Sequence, residues 1–129
     1  MWHPRPLLGA FGLLLAVACA PHPNTPPGPD AAALSADAQA GETLIQQKGC
    51  GGCHVIPGVP GAEGVIGPSL AGVASRTTLA GGAVPNTSPD DLKNWIEHPD
   101  TLKPGTSMPN LGLTDQQATQ IVAYLELLR

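Results

Sequence analysis

Large side chains are scarce in this chain. Aromatic residues make up 3% of its 129 residues: two tryptophans, one tyrosine and one phenylalanine. So few bulky groups bury little apolar area, and such a domain folds weakly on its own. Basic charge is scarce too, with six Lys and Arg against ten Asp and Glu and a net charge of −4. The basic footprint of a nucleic-acid binder is absent. No apolar run approaches the roughly 20 residues that span a membrane; the segment Leu7 to Ala18 stops at 12. No convincing strand alternation and no internal repeat is present. Glycine and proline abound instead, 16 and 15 residues, about a quarter of the chain. Long loops follow from that composition.

Against this background one stretch stands out, Lys48-Gly49-Cys50-Gly51-Gly52-Cys53-His54. Cys-x-x-Cys-His is the spacing of covalent c-type haem attachment. Two thiols three residues apart on one turn each add to a vinyl group of the same porphyrin. The next residue then brings an imidazole beneath the iron. Gly51 and Gly52 leave nothing bulky in the way of the ring, and Gly49 loosens the chain before it. The competing readings are a redox dithiol and half of a zinc site. Zinc needs two further ligands, and Cys19, His3, His22 and His98 stand at no finger-like or ribbon-like spacing. A dithiol of the thioredoxin kind expects a βαβ context, and no strand pattern precedes Cys50. A covalent haem also answers the composition, because the polypeptide wraps a cofactor in place of a core.

The N-terminus predicts export. Arg5 is the positive end, and the short apolar run leads to Ala16-Val17-Ala18-Cys19. This resembles a lipobox, so residues 1–18 are read as a lipoprotein signal peptide with cleavage before Cys19. Ala16 stands where leucine is usual, and ordinary cleavage after Ala20 is the alternative. Lipidation of Cys19 accounts for the third cysteine, since haem takes the other two and a free thiol in an exported protein is a liability. Residues 19–34 form a linker in which five prolines favour extended polyproline II; His22 sits there as a solvated residue. The folded domain is residues 35–129. With Arg5 gone, five basic residues face ten acidic ones, and an acidic surface suits a basic patch on a partner.

Within the domain the expected class is all-α, three or four helices joined by long loops. Asp37 to Lys48 reads as a helix with Ala38, Gly41, Leu44 and Ile45 on one face. Gly41 in mid-helix costs about 1 kcal/mol, which a close helix–helix contact explains. Residues 55–67 and 76–87 read as loops, with at most a helical turn between Pro68 and Ala74. Ser88-Pro89-Asp90-Asp91 opens a second helix through Leu92, Trp95 and Ile96 that stops before Pro99. Residues 99–113 form a proline-stiffened loop. Thr114 and Gln117 make a capping box for the last helix, whose apolar stripe is Ile121, Leu125 and Leu128.

Apart from the initiator, Met108 is the only methionine, and it lies in a loop between Ser107 and Pro109. That placement favours a second axial ligand to a haem iron held by His54, over a core-filling role. His98, at a helix end, is the rival ligand. Met/His ligation raises the reduction potential and leaves no open position for a substrate, so one-electron transfer is the expected chemistry, without enzymatic turnover.

Over residues 37–129 the chain resembles class I cytochrome c, and in particular the cytochrome c domain fused to subunit II of bacterial haem-copper oxidases. The resemblance rests on Gly41-Glu42 with Leu44, Cys50 to His54, Gly67-Pro68-Ser69-Leu70-Ala71-Gly72-Val73, Ser75-Arg76, Pro85-Asn86-Thr87, Leu92 to Ile96, Lys103-Pro104-Gly105 through Met108-Pro109, and Val122 to Leu125. It implies that the Pro68 carbonyl accepts a hydrogen bond from the His54 imidazole. It implies that Arg76 and Trp95 hydrogen-bond or screen a haem propionate; a surface arginine and a core tryptophan are the plain alternatives. Gly41 and Ile45 would meet Ile121 and Tyr124 where the first and last helices cross. The copper domain and membrane hairpin of subunit II have no counterpart in these residues. The expected protein is thus a monohaem carrier, with a terminal oxidase as acceptor and a quinol-oxidising complex as donor. A haem enzyme or gas sensor with an open axial site, and a cytochrome subunit of a dehydrogenase, are the alternatives.

Overall fold

Residues 25–129 are described by the structure, a computed structural model. The leader, His22 and Cys19 lie outside the described residues. Helix α1 (Ala36–Gln47) starts where the Ser35 hydroxyl accepts the Ala38 N–H at 3.1 Å, the usual neutralisation of an orphan donor in a first turn. It ends at Gly49, whose φ of +72° places the chain in the left-handed region. Glycine closes helices this way at little cost, and here the reversal delivers the chain into Cys50. A short 3-10 turn over Cys50–Gly52 then leads to His54.

Helix α2 (Pro89–Glu97) has the expected cap: Ser88 and Asp91 form a reciprocal capping box, with Pro89 in the first turn. Leu92, Trp95 and Ile96 are its buried face. Pro99 was expected to open a loop, yet it starts a one-turn helix, α3 (Pro99–Leu102). Proline ends the preceding helix but suits the first position of the next, so both effects operate at one residue. Helix α4 (Asp115–Leu125) begins with the predicted Thr114–Gln117 box, and Lys93 on α2 pairs with Asp115 at its start.

The sequence predicts no strand, and here the structure differs. β1 (Thr78–Leu79) and β2 (Val84–Pro85) form a two-residue antiparallel ladder pairing Thr78 with Pro85 and Leu79 with Val84. Two residues are too few for alternation to register in a sequence. The inward cross-strand pair Leu79–Val84, both buried, is what holds the hairpin. Asn86 braces its exit, donating from Nδ2 to the carbonyls of Val73 and Arg76.

The crossing of α1 over α4 sets the frame. A Cβ on Gly41 would run into the backbone carbonyl of Gln120 and lie 3.2 Å from Ile121 Cα. The costly glycine is there so that two backbones can touch. Ala38, Ile45, Ala118, Ile121 and Tyr124 close the contact around it, all buried. Tyr124, 1% exposed, donates its hydroxyl proton to the Pro57 carbonyl at 2.8 Å. Burial pushes this phenol up to about 12.

Residues 25–34 also depart from the sequence reading of a free extended tether. The Pro26 carbonyl accepts the Gly58 N–H at 3.1 Å, Gly28 packs directly on the Gly58 backbone, and Leu34 joins the core. A pair of glycines permits this backbone-on-backbone crossing, a local contact that proline counting does not reveal. No helix among the described residues is long and apolar enough to cross a membrane.

Two outcomes follow from the crossing. Gly41→Ala overpacks it and lowers stability by about 1–3 kcal/mol or more, read as a fall in the denaturant midpoint of the ferric holoprotein. Tyr124 has its folded pKa raised above the ordinary phenol value of about 10. Its stabilising contribution is therefore complete below pH 10 and lost as pH rises toward about 12. Tyr124→Phe removes that alkaline slope and, by leaving the Pro57 carbonyl unpaired, costs about 1–3 kcal/mol at neutral pH.

Candidate haem-binding site

One cavity of about 670 Å³ gathers the candidate residues, within the roughly 300–1,000 Å³ of ordinary cofactor sites. Cys50, Cys53, His54, Pro68, Arg76, Trp95 and Met108 all line it. Ile45 of α1, Leu92 and Ile96 of α2, Ile121 and Leu125 of α4, and Leu79 of the hairpin supply apolar wall. The helix crossing, the hairpin and the loops thus converge on a hollow. No charged side chain among the described residues is buried, and the buried side chains that carry a polar group are the Tyr124 phenol and the Trp95 indole.

His54 is held from two sides. Its Nδ1 lies 2.7 Å from the Pro68 carbonyl. A carbonyl only accepts, so Nδ1 carries the proton of this bond and Nε2 keeps a lone pair available to a metal. The Gly67 backbone lies flat against the ring, since a Cβ there would strike Cε1 and stand 2.7 Å from Nδ1. Gly67 N–H in turn donates to the Cys53 carbonyl at 2.7 Å. The bond read from the resemblance at Pro68 is present, and Gly67 is its unpredicted partner.

The glycines between the thiols have a different use from the one expected. Gly51 and Gly52 do not line the large cavity; they face a smaller hollow with Gly61 and Ala62. A Cβ on Gly51 would sit 2.8 Å from Ala62 Cα, and one on Gly64 would sit closer still, 2.5 Å from the Gly52–Cys53 backbone. Gly51 therefore admits the loop behind the motif. Cys50 and Cys53 are half-buried and line the cavity, and burial pushes the pKa of the Cys50 thiol above its ordinary value.

Met108 lines the cavity, half-buried, while His98 is exposed and takes no part in it. Arg76 donates from one terminal nitrogen to the carbonyls of Ser69 and Ala71, at 2.5 and 2.9 Å. It thereby braces the loop beyond Pro68, with the rest of its guanidinium left for the cavity. Trp95 is 8% exposed and packs in the wall. Sequence reasoning passed over Lys48 and Lys103, which also line the cavity. Among the described residues every charged group on that lining is basic: Lys48, Arg76 and Lys103. The net acidity of the chain lies elsewhere on its surface. No motif announces this clustering, because it arises only when the hairpin and the Met108 segment come together.

Two thiols, an imidazole with a free Nε2, a thioether, apolar walls and three cations suit an iron porphyrin bearing carboxylates. No group of three or more His, Cys, Asp or Glu that would hold a separate metal ion occurs among the described residues, so the zinc reading finds no ligand set there.

Comparisons with known proteins identify the family. The family model for Cytochrome c matches residues 38–129. Cytochrome c2 of Rhodopila globiformis is 38% identical over 77 residues, half of this chain and 71% of that protein. Cytochrome c oxidase subunit 2 of Bacillus subtilis is 33% identical over 96 residues, 71% of this chain. The corresponding subunit of Alkalihalophilus pseudofirmus is 29% identical over 93 residues, again 71% of this chain. The chain spans about a quarter of the length of these oxidase subunits (26%). Because that family model covers residues 38–129, more than two thirds of the chain, this chain belongs to the cytochrome c family and binds covalent haem c.

Proposed function

We propose that the protein carries single electrons, with His54 Nε2 and the Met108 sulfur as axial ligands and Cys50 and Cys53 as the thioether attachment points. The observation that carries this reading is the meeting of an oriented imidazole and a loop methionine in one apolar cavity. The haem supplies a one-electron couple at its iron. Pro68 and Gly67 orient the imidazole, and the Met108 thioether, as the second ligand, would favour the reduced state and leave no coordination site for substrate. Arg76 and Trp95 serve the propionate end, by charge and by exclusion of water.

Partners follow from the surface and the relatives. Val65 and Ile66 are 87% and 75% exposed beside the Cys53–Gly67 contact. An apolar tip at the thioether edge suits a small contact with a redox protein that must form and break quickly. Likeness to a segment of oxidase subunit 2 supports a terminal oxidase as acceptor, with a quinol-oxidising complex as donor. Cys19 is the lipid anchor that keeps the carrier at the outer face of the membrane after export.

Two experiments test this reading. Met108→Ala lowers the midpoint potential and makes the reduced protein bind carbon monoxide; strong carbon monoxide binding by the unmutated protein would instead favour an open-site sensor or enzyme. Cys19→Ser moves the protein from the membrane fraction to the soluble one; continued membrane association would reject the anchor.

A further inference from the structure

Residues 103–113 carry Met108 from the end of α3 to the start of α4, and their hydrogen bonds are almost all local. Lys103 N–H reaches Pro99 O at 2.9 Å and Thr106 N–H reaches Lys103 O at 3.0 Å. Met108 N–H reaches Thr106 Oγ1 at 3.3 Å and Gly112 N–H reaches Asn110 Oδ1 at 2.9 Å. Pro104 and Pro109 have no N–H to give. Among the described residues, one bond from this segment leaves its neighbourhood. Lys103 Nζ donates to the Ala80 carbonyl at 2.9 Å, 23 residues away in the chain.

The acceptor is itself unusual. Ala80 has a φ of +54°, the one positive value at a non-glycine residue among those described, and Gly81 and Gly82 follow at +70° and +94°. A side chain in that region is strained, and such strain persists where the surroundings hold it in place. The turn between β1 and β2 thus presents a carbonyl that an ammonium from the Met108 segment holds. Both Ala80 and Lys103 line the cavity that His54 and Met108 share.

We infer that Lys103 is a positioning residue: its ammonium clamps the Met108 segment to the hairpin turn and so keeps the thioether at the haem. The inference rests on the reading of Met108 as an iron ligand. A hydrogen bond from a charged donor is stronger than one between neutral groups, and this one is half-buried. Without it the segment is held to the rest of the fold by the packing of Met108 and Leu113 against the core, and the methionine spends more time away from the iron. An external ligand then binds more tightly in proportion to the open fraction.

The test uses the full-length holoprotein with Met108→Ala as reference. Carbon monoxide is titrated into the reduced protein, the sulfur-to-iron charge-transfer absorption is followed in the ferric one, and circular dichroism verifies the helices. Lys103→Met is expected to tighten carbon monoxide binding about fivefold or more and to weaken the charge-transfer absorption. Lys103→Arg, which keeps charge and donor, restores both. Should Lys103→Met not accumulate as holoprotein, Lys103→Gln takes its place under the same criteria. Unmutated affinity in the Lys103 variant overturns the clamp while leaving Met108 as ligand. Failure of Lys103→Arg to restore would show that charge and donor do not set the effect, and would overturn it too. An unchanged Met108→Ala protein overturns the ligation reading, and the clamp with it.

Discussion

At Gly41 the backbones of α1 and α4 come into direct contact, and both sides of the haem site depend on how closely they do so. The end of α1 determines where Gly49 turns the chain and hence where Cys50, Cys53 and His54 lie. The next residues of α4, Ile121 and Leu125, form the wall facing them. A wider crossing would separate the attachment segment from its own cavity. In a chain with so few large side chains, a close glycine contact does work that bulky residues do elsewhere.

Around that frame each segment has a separate task at the cofactor. The 64–68 loop crosses the back of the Cys-x-x-Cys-His turn and orients the imidazole through Pro68 and Gly67. Arg76 braces the same loop from beyond, through the carbonyls of Ser69 and Ala71. Asn86 joins that brace to the hairpin, and Lys103 joins the hairpin to the Met108 segment. The polar contacts therefore run in sequence around the cavity and not across it, leaving its interior apolar.

Much of this was legible in the sequence, for identifiable reasons. Caps are local, so Ser88 and Thr114 marked two helix starts that the structure reproduces. Cys-x-x-Cys-His carries its chemistry in its spacing, and the mid-helix glycine pointed to a crossing. What escaped was non-local. The hairpin rests on one pair, Leu79 and Val84, whose meeting no periodicity encodes. Pro99 was read only as a stop although it also begins a turn. Gly51 was assigned to the porphyrin when its neighbour is Ala62. The cationic lining appears only when residues from positions 48, 76 and 103 assemble. Residues 25–34 were read from composition as a tether, and composition does not show that Gly28 fits against Gly58.

The apolar interior has a consequence for speed as well as for stability. An electron arriving at a buried centre changes its charge by one unit, and any dipole free to turn must reorient in response. Pro68 and Gly67 hold the polar groups around the imidazole in fixed hydrogen bonds, while the surrounding wall of Ile45, Leu92, Ile96, Ile121 and Leu125 has no dipole to turn. Fixed groups add little reorganisation to each transfer. The scarcity of polar side chains inside thus favours a protein that changes redox state while scarcely changing shape.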